Sequence, residues 1–472
     1  SGAALKSVNL TLDEAASSVK FGGARATSIE TLAVKAVESS ATNGATVELS
    51  SLSGLKDITV TGDASVTLSA VNTATKLETL DAFNTTGGVT VDGKLANTAA
   101  FTGGAGNDTI TLGASTQAHD MGAGDDTVKI TEALGKGVSI NGGDGIDTLE
   151  MATNIAKDFR VGDAITGFEI LKLSGGGTVD MDNFGDINHV IAGTEAVTVN
   201  NIDSNGTIEF NNTANVDMTV TVKDAEKADN TSDVLNVTIA DDGDVIVQKL
   251  TVANVENINI TADDTDLVTG STAATHTLTL AADKATSVTV SGDAKLTLNL
   301  EAVSTAIKDI NASENTGGLT VDLGSTLKDV TVTGSSADDT ITMGIGNTVT
   351  GGEGKDTFIA TAATDATVSF STIMNFEAGD KLQIAGMTSL AKVDIESGTT
   401  NFDAVVTKAL ETATNTNAAW FVYDNNTYVV LEGTDNGTFE VGDYLVQLNG
   451  VVDLSNATVA SGALSLPDVE GA

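Results

Sequence analysis

The residues in this sequence that are best suited to chemistry form a glycine- and aspartate-rich nonapeptide, GGxGxDxUx, in which U is a large apolar residue. The pattern is complete at residues 103–111, GGAGNDTIT, and recurs at 121–129 and 142–150. Glycine permits the left-handed dihedral angles of a tight turn, and such a turn exposes backbone carbonyl oxygens beside the aspartate at the sixth position. Six such oxygens from two stacked turns suit Ca²⁺ rather than zinc or copper.

The spacing of the three copies determines whether their turns can stack. The step from Gly103 to Met121 is one full coil of two nonapeptides, so both turns fall on the same edge of a solenoid. The step from Met121 to Gly142 is slightly longer, and the extra residues fit a loop on the opposite edge at residues 134–138. The spacing therefore predicts a stack of three turns.

Three stacked turns enclose two gaps, and we predict one calcium ion in each. The first ion lies between Asp108 and Asp126, and the second lies between Asp126 and Asp147. The opposite edge, at residues 112–120, lacks the pattern and is expected to bind no metal. The candidate ligands in this array are Gly103, Ala105, Asp108, Met121, Ala123, Asp125, Asp126, Gly142, Asp144 and Asp147.

A weaker pair of copies occurs in the second half of the chain. The segment GSSADDTIT at 334–342 lacks two of the three motif glycines, and it begins nearly one coil before GGEGKD at 351–356. We predict one further calcium ion here, although a single nonapeptide can also form a glycine-rich turn without metal. The candidate ligands are Asp338, Asp339, Gly351, Glu353 and Asp356.

Two further acidic runs, DDGD at 241–244 and DDTD at 263–266, have two interpretations. They could hold additional calcium at loops, or they could be solvated turns with no ligand. They are not interpreted as the carboxylate pair of a glycosidase, because no aromatic platform accompanies them.

The elements that must position these turns repeat along the chain. Residues 60–92 match residues 290–322 without a gap, so that one half of the chain repeats the other at a constant offset. Within each half, short apolar segments with alternating polarity recur twice in every ~20 residues, which is typical of a solenoid rung with two strands. Ordinary β-sandwiches, whose strands also alternate, are the alternative interpretation.

The predicted fold class is all-β, with calcium-binding parallel β-solenoid arrays of the β-roll or β-helix type, an inserted β-sandwich-like segment and a β-rich C-terminal cap. The long strands of the middle segment favour a sandwich over a short rung. The predicted divisions are a lead-in at 1–26, array 1 at 27–203, the inserted segment at 204–254, array 2 at 255–385, and a cap with a secretion signal at 386–472.

Composition excludes several classes of function. Among 472 residues, 65 are acidic and 23 basic, and the resulting charge of −42 disfavours binding to nucleic acid or to anionic membranes. A hydrophobic fraction of 40% predicts a folded chain rather than a disordered acidic one. The absence of cysteine excludes disulfides and thiolate metal sites, so bound metal is the expected source of extra stability. The sequence contains no apolar run long enough to predict a membrane span.

The sequence also lacks the residues of common hydrolases, and we predict no enzyme activity. Neither HExxH nor GxSxG is present, and Arg25 and Arg160 are the only arginines. The three histidines, His119, His189 and His276, stand apart from one another in the sequence. His119 is interpreted as an exposed turn residue rather than a ligand or a base.

The nonapeptides resemble the calcium-binding repeats of RTX proteins, which Gram-negative bacteria export by type I secretion using an uncleaved C-terminal signal. The segment TVSFSTIMNFEAGDKLQI at 367–384 is similar to the one that closes RTX arrays. The resemblance implies export of an unfolded chain that folds outside the cell with Ca²⁺.

Few nonapeptides among many Thr- and Val-rich rungs resemble the RTX-type surface-layer proteins that coat some Gram-negative cells. The resemblance implies a secreted, self-assembling structural protein at the cell surface, with no partner nucleic acid and no membrane insertion. Because Ser1 does not begin a signal segment, we expect a C-terminal portion of a longer chain, whose other part would bind a cell-surface polysaccharide. The alternatives are an RTX adhesin that binds a foreign ligand and, more weakly, a polysaccharide-modifying enzyme.

Overall fold

The computed structural model describes residues 5–13, 18–22, 26–37, 44–160, 164–227, 231–266, 273–324, 326–396, 400–433 and 437–467. In these ranges nearly all regular structure is β-strand, and most strands pair in parallel as successive coils of a solenoid. The expected all-β, parallel solenoid is therefore the fold of this chain. The chain divides into two compact units, unit 1 (Ser1–Asp203) and unit 2 (Ser204–Ala472). Within the ranges above, no helix is long and apolar enough to cross a membrane.

In unit 1 each coil contributes one strand to each of two parallel sheets. Sheet 1a contains, in spatial order, β1 (Ser7–Asp13), β3 (Thr31–Val37), β5 (Asp57–Gly62), β7 (Thr79–Thr85), β9 (Ala100–Thr102), β11 (Ala118–Asp120), β13 (Ser139–Asn141) and β15 (Ile165–Thr166). Sheet 1b contains β2 (Ser18–Lys20), β4 (Ala45–Glu48), β6 (Val66–Ser69), β8 (Val89–Lys94), β10 (Thr109–Leu112), β12 (Thr127–Ile130), β14 (Thr148–Ala152), β16 (Ile170–Ser174) and β18 (His189–Ala192).

Shorter elements complete unit 1. Strands β17 (Gly177–Asp180) and β19 (Val197–Ile202) pair in parallel with each other. Helix α1 (Thr153–Ala156) directly follows β14, and single turns of 3₁₀ helix lie at Ala26–Ser28, Val71–Thr73 and Met181–Asn183.

Alternating side chains build the core of each coil. In β10, Ile110 and Leu112 are buried while the intervening threonines are partly exposed. The parallel register places Ile110 beside Val128 of β12, and Val128 beside Leu149 of β14. Each fully buried aliphatic side chain stabilises the fold by about 1.5–3 kcal/mol. Stability therefore comes from columns that run through many coils, and no single coil is self-sufficient.

Unit 2 repeats this construction. Sheet 2a contains β20 (Gly206–Phe210), β22 (Val234–Asp241), β24 (Asn257–Asp264), β26 (Ser287–Gly292), β28 (Asp309–Asn315), β30 (Thr331–Thr333), β32 (Thr348–Thr350) and β34 (Ser371–Ile373). Sheet 2b contains β21 (Ala214–Val222), β23 (Ile246–Ala253), β25 (Thr275–Ala282), β27 (Lys295–Leu300), β29 (Leu319–Asp322), β31 (Thr340–Met343), β33 (Thr357–Ala360) and β35 (Lys381–Gln383). The offset between the matching sequence segments holds for structure as well, because β5 and β7 correspond position by position to β26 and β28.

The C-terminal part of unit 2 leaves the coil pattern. Its elements are β36 (Ser389–Lys392), α2 (Phe402–Leu410), β37 (Asn417–Tyr423), β38 (Asn426–Leu431), β39 (Tyr444–Leu448), β40 (Thr458–Ala460) and β41 (Ala463–Ser465). Strands β37, β38 and β39 pair antiparallel, and β39 joins β34 in parallel. Helix α2 begins at the N-cap Asn401 and buries Val405, Val406 and Leu410 against Phe421 and its neighbours. This segment extends sheet 2a beyond its last coil.

The structure differs from two of the predicted divisions. The segment at 204–254 is not a sandwich-like insertion, because β22 pairs in parallel with β20 and β24, and β23 pairs in parallel with β21 and β25. The length of these strands suggested a sandwich, but alternating burial along a strand is compatible with long coils as well as short ones. The lead-in at 1–26 also contains solenoid strands, since β1 pairs with β3 and β2 pairs with β4.

Candidate metal centre

The three predicted turns lie on one edge of unit 1, where the chain passes from sheet 1a to sheet 1b. They connect β9 to β10, β11 to β12 and β13 to β14. The register pairs Thr109 with Thr127 and Thr127 with Thr148, so the shorter and the longer step both bring equivalent positions side by side. The structure thus brings the ten candidate residues of array 1 into one stack of turns.

Successive coils are joined at these turns by carboxylate oxygens that accept backbone N–H groups. The Asp108 N–H donates to Asp126 Oδ1 at 2.6 Å, and the Asp126 N–H donates to Asp147 Oδ1 at 2.8 Å. At the two ends, the Val89 N–H donates to Asp108 Oδ1 at 2.6 Å, and the Asp147 N–H donates to Glu169 Oε2 at 2.7 Å. We call Asp108, Asp126, Asp147 and Glu169 the first carboxylate ladder.

The first glycine of a turn keeps space open beside the ladder. A Cβ placed on Gly103 would overlap both Asp108 Oδ2 and the carbonyl oxygen of Met121 in the next turn. A Cβ on Gly142 would overlap the Gly167 carbonyl oxygen and would lie 2.6 Å from Asp147 Oδ2. In each case a carboxylate oxygen and a carbonyl oxygen from the following coil face the same space.

The other motif glycines permit the turn itself in the second and third copies. Gly122 and Gly124 have φ values of 99° and 117°, in the left-handed region that strains any residue with a side chain. The equivalent glycines at 143 and 145 have φ values of 111° and 138°. The first copy differs, because neither Gly104 nor Gly106 has a φ in this region.

The ladder carboxylates are buried, and two of their oxygens accept no hydrogen bond. Asp108, Asp126 and Asp147 are at most 1% exposed. The Oδ2 atoms of Asp126 and Asp147 have no donor within reach. A buried oxygen with formal charge and no partner is costly, so these atoms fit the role of cation ligands.

Burial and mutual repulsion also shift the acidity of the ladder. Desolvation, with the charges of Asp108 and Asp147, raises the pKa of Asp126 to about 8. Desolvation raises the pKa of Asp108 and of Asp147 to about 6. Near neutral pH the ladder must therefore hold protons or a positive ion.

These shifts predict how the metal-free protein responds to pH. Each raised pKa lies above the value of about 3.9 in the unfolded chain, so the folded state binds more protons and loses stability as pH rises through the folded pKa. In chelator, we expect the melting temperature to fall between about pH 5 and pH 8.5. Thermal unfolding followed by circular dichroism tests this, and a flat or rising profile would contradict it.

The remaining candidates of array 1 lie around the ladder with distinct roles. Asp125 is exposed, and its Oδ1 accepts the N–H of Ile146 at 2.9 Å, which forms an outer row of capped turns. The carbonyl oxygen of Asp144 accepts the N–H of Gly124 at 2.8 Å, beside the bridge between Ala123 and Asp144. In the part of the chain that the structure describes, no three His, Asp or Glu side chains form a metal-binding group. Any ion here would draw its remaining ligands from carbonyl oxygens.

Array 2 contains a second carboxylate ladder, Asp339, Asp356 and Asp380. The Asp339 N–H donates to Asp356 Oδ1, and the Asp356 N–H donates to Asp380 Oδ1, both at 3.0 Å. Desolvation, followed by repulsion from Asp339 and Asp380, raises the pKa of Asp356 to about 7. Asp338 lies outside the ladder and caps the N–H of Lys355 at 2.8 Å.

Ser335, which replaces a motif glycine, changes the first turn of array 2. Ser335 donates its N–H to Asp339 Oδ2 at 2.6 Å and its hydroxyl to Asp339 Oδ1 at 2.8 Å. A third donor, the N–H of Leu319, also reaches Oδ1 at 2.5 Å. Asp339 is thus largely satisfied by its own surroundings, unlike Asp126. In the second turn, Glu353 is exposed, and Gly351 again leaves space beside Asp356.

Sequence reasoning missed Glu169 and Asp380, which end the two ladders. Each residue directly precedes a strand, β16 or β35, in the place that the motif aspartates hold before β10, β12 and β14. The turns that carry them lack the GGxG pattern, so the nonapeptide motif does not include them. An acidic residue directly before an aligned strand was the feature of the sequence that could have identified both.

Uncharged side chains perform the same capping on the opposite edge of array 2. The Val330 N–H donates to Asn347 Oδ1 at 3.0 Å, and the Asn347 N–H donates to Ser371 Oγ at 3.2 Å. Both side chains are buried. Joining coils through backbone donors therefore does not require a carboxylate.

The two acidic runs lie at neighbouring coil ends. Strands β22 and β24 place Asp241 beside Asp264, and Asp264 caps the N–H of Ala274 and of Asp266. A hydrogen bond to Asp241 and its charge raise the pKa of the exposed Asp242. These contacts leave both earlier interpretations, calcium loop or solvated turn, as predictions.

The expectation for His119 is wrong, because this side chain is only 2% exposed. Alternation in β11 points it inward, in register with Phe101 and Ile140. Its Nε2 lies 2.8 Å from Ser115 Oγ, while Nδ1 has no partner, and burial lowers its pKa to about 4. His276 is also buried, between the Val245 N–H and the Asp263 carbonyl oxygen.

No protein-family model matches the chain, and no curated protein matches it significantly.

Proposed function

We propose that this chain is a secreted structural protein that folds around Ca²⁺ and assembles into a two-dimensional lattice on the cell surface, as the resemblance to RTX-type surface-layer proteins suggests. The observation that carries the calcium part is the first carboxylate ladder, with its unpartnered Oδ2 atoms at Asp126 and Asp147. On this proposal the protein has no catalytic role.

The neutral caps at Asn347 and Ser371 support a cation rather than a purely structural use of aspartate. They join coils with N–H donors as the ladder does, but they bring no charge into the interior. A carboxylate adds a desolvation cost that asparagine avoids. The ladder therefore brings negative charge into the turns, which the neutral caps do not. Hard oxygen ligands with negative charge favour Ca²⁺.

The proposed ions lie between Asp108 and Asp126, between Asp126 and Asp147, and between Asp339 and Asp356. Each gap joins the acids of two coils through an N–H bond. The saturated surroundings of Asp339 imply weaker binding in array 2. Folding and metal binding would be coupled, because the oxygens meet only after the coils have stacked.

Lattice formation follows from the charge of the folded protein. A net charge of −42 makes copies of the chain repel one another, and only charges within about 8 Å are felt strongly at physiological salt. Divalent ions can bridge exposed acids on two copies, whereas monovalent ions only screen them. The proposed partner is a second copy of this chain.

Three buffers test the assembly proposal. We expect monomers in chelator, sheets in millimolar calcium, and monomers in sodium chloride of matched ionic strength. Light scattering and negative-stain electron microscopy give the readout. Monomers in all three buffers would contradict the lattice and favour an adhesin, and sheets in sodium alone would exclude calcium bridging.

A further inference from the structure

The first carboxylate ladder has a third gap that the nonapeptide pattern does not predict. It lies between the turn of Asp147 and the next turn, residues 167–169, which connects β15 to β16. The Asp147 N–H donates to Glu169 Oε2 at 2.7 Å, as the Asp108 N–H does to Asp126. The coil that follows the last nonapeptide therefore continues the ladder.

The oxygens around this gap match those around the first gap. In the first gap, Asp108 Oδ2 and the Met121 carbonyl oxygen face the space beside Gly103. In the third gap, Asp147 Oδ2 and the Gly167 carbonyl oxygen face the space beside Gly142. Gly167, with a φ of 69°, holds a backbone conformation that favours glycine.

Asp147 is the buried acid that borders the third gap. It is fully buried, and its Oδ2 accepts no hydrogen bond although its Oδ1 caps the Asp126 N–H. The Glu169 carboxylate of the next coil, whose Oε2 accepts the Asp147 N–H, brings a second negative charge to this gap. A cation between the two carboxylates would satisfy Oδ2 and remove the repulsion.

We propose that unit 1 binds a further Ca²⁺ between Asp147 and Glu169, with ligands from the Asp147 carboxylate, the Gly167 carbonyl oxygen and the Glu169 carboxylate. This inference rests on the proposed function, because it uses the same chemistry as the ions assigned to the repeats. It extends the metal array by one coil beyond the nonapeptides and places its last ion at an exposed glutamate.

The corresponding gap in array 2 is built differently. There the Asp356 N–H donates to Asp380 Oδ1, but the space beside Gly351 is bordered by Asp356 Oδ2 and by the Phe358 ring, whose Cζ would lie 3.0 Å from a Cβ on Gly351. No carbonyl oxygen of the next coil is among the nearest atoms. The proposal is therefore specific to the end of the ladder in unit 1.

Glu169→Gln separates an ion ligand from a simple cap. The amide oxygen of glutamine can still accept the Asp147 N–H, so folding is preserved, while the charge is lost. Glu195→Gln is the matched control, because Glu195 is also exposed in unit 1 and its Oε2 accepts one backbone N–H, that of Gly176, at 2.9 Å. Circular dichroism of each variant in calcium checks the fold.

Equilibrium dialysis with metal analysis counts the calcium bound by the full chain. We expect Glu169→Gln to bind one ion fewer than wild type, or to bind its last ion about tenfold or more weakly, a loss of about 1.4 kcal/mol. The Glu195→Gln variant should match wild type. An unchanged count and affinity in Glu169→Gln, or an equal loss in Glu195→Gln, would overturn the inference while leaving the repeat sites in place. No binding by wild type would overturn the proposed function itself.

Discussion

Removing calcium should lower the melting temperature of the protein by about 10–20 °C. An ion present at a hundred times its dissociation constant stabilises the folded state by about 2.7 kcal/mol. For units of this size, each kcal/mol shifts the melting temperature by about 2–4 °C. The two ions between the nonapeptides of unit 1 alone therefore give a shift of this order. Differential scanning calorimetry in calcium and in chelator measures it.

The shift should also depend on pH, since protons and calcium compete for the same carboxylates. The difference between the two melting curves should be small near pH 5 and should widen as Asp126 and Asp356 lose their protons, between about pH 6 and pH 8. Magnesium at the same concentration is the control for a general divalent effect, because it demands smaller octahedral sites. Identical melting temperatures with calcium and with chelator at pH 8 would refute the metal centre.

Asp126→Asn should remove most of the calcium response of unit 1 while leaving the metal-free fold intact. Asp126 borders both gaps between the nonapeptides, so its charge serves two ions. The asparagine oxygen can still accept the Asp108 N–H, and the variant no longer buries a charge whose pKa is raised to about 8. In chelator at pH 8, the variant should melt no lower than wild type, whereas in calcium it should melt about 10 °C or more below wild type.

Asp125→Asn is the matched control for this experiment. Asp125 is the adjacent residue, carries the same charge and also caps a backbone N–H, but it is exposed on the outer row. Although the motif made Asp125 a candidate ligand, its exposed carboxylate caps the Ile146 N–H, so Asp125→Asn should keep the calcium response of wild type. If Asp126→Asn were destabilised equally with and without calcium, the aspartate would be a structural cap, and the proposed ions would lose their main support. Asp126→Ala removes the cap as well and should be the more damaging change in both buffers.

The repeat spacing predicted the stack because whole coils bring equal positions into register. The three steps between neighbouring nonapeptide turns differ in length, yet each one pairs equivalent residues of successive strands, because the extra residues lie away from the turns. The hydrogen bonds between carboxylate and backbone were beyond sequence reasoning, because a consensus shows residue types and not which donor each oxygen meets. Glu169 and Asp380 were missed for the related reason that their turns lack the GGxG pattern.

Two other differences between the predicted and the observed structure have physical causes. The long strands at 214–253 resemble sandwich strands, but alternating burial does not determine whether the partner strand is parallel or antiparallel. His119 stands in a polar segment and suggested an exposed turn. A strand as short as β11 is enough to reverse that expectation, because every second side chain points into the core.

The hydrogen bonds of the ladder all run in one direction along the chain, from a donor in one coil to an acceptor in the next. Each ladder coil thus carries one backbone donor and one acidic acceptor as a set. Duplicating or deleting an entire coil leaves every donor matched, whereas an insertion within a turn would separate a donor from its acceptor. In array 1, length changes are therefore tolerated on the far edge, as at residues 134–138, and the array can grow or shrink in evolution by whole coils without redesign of its neighbours.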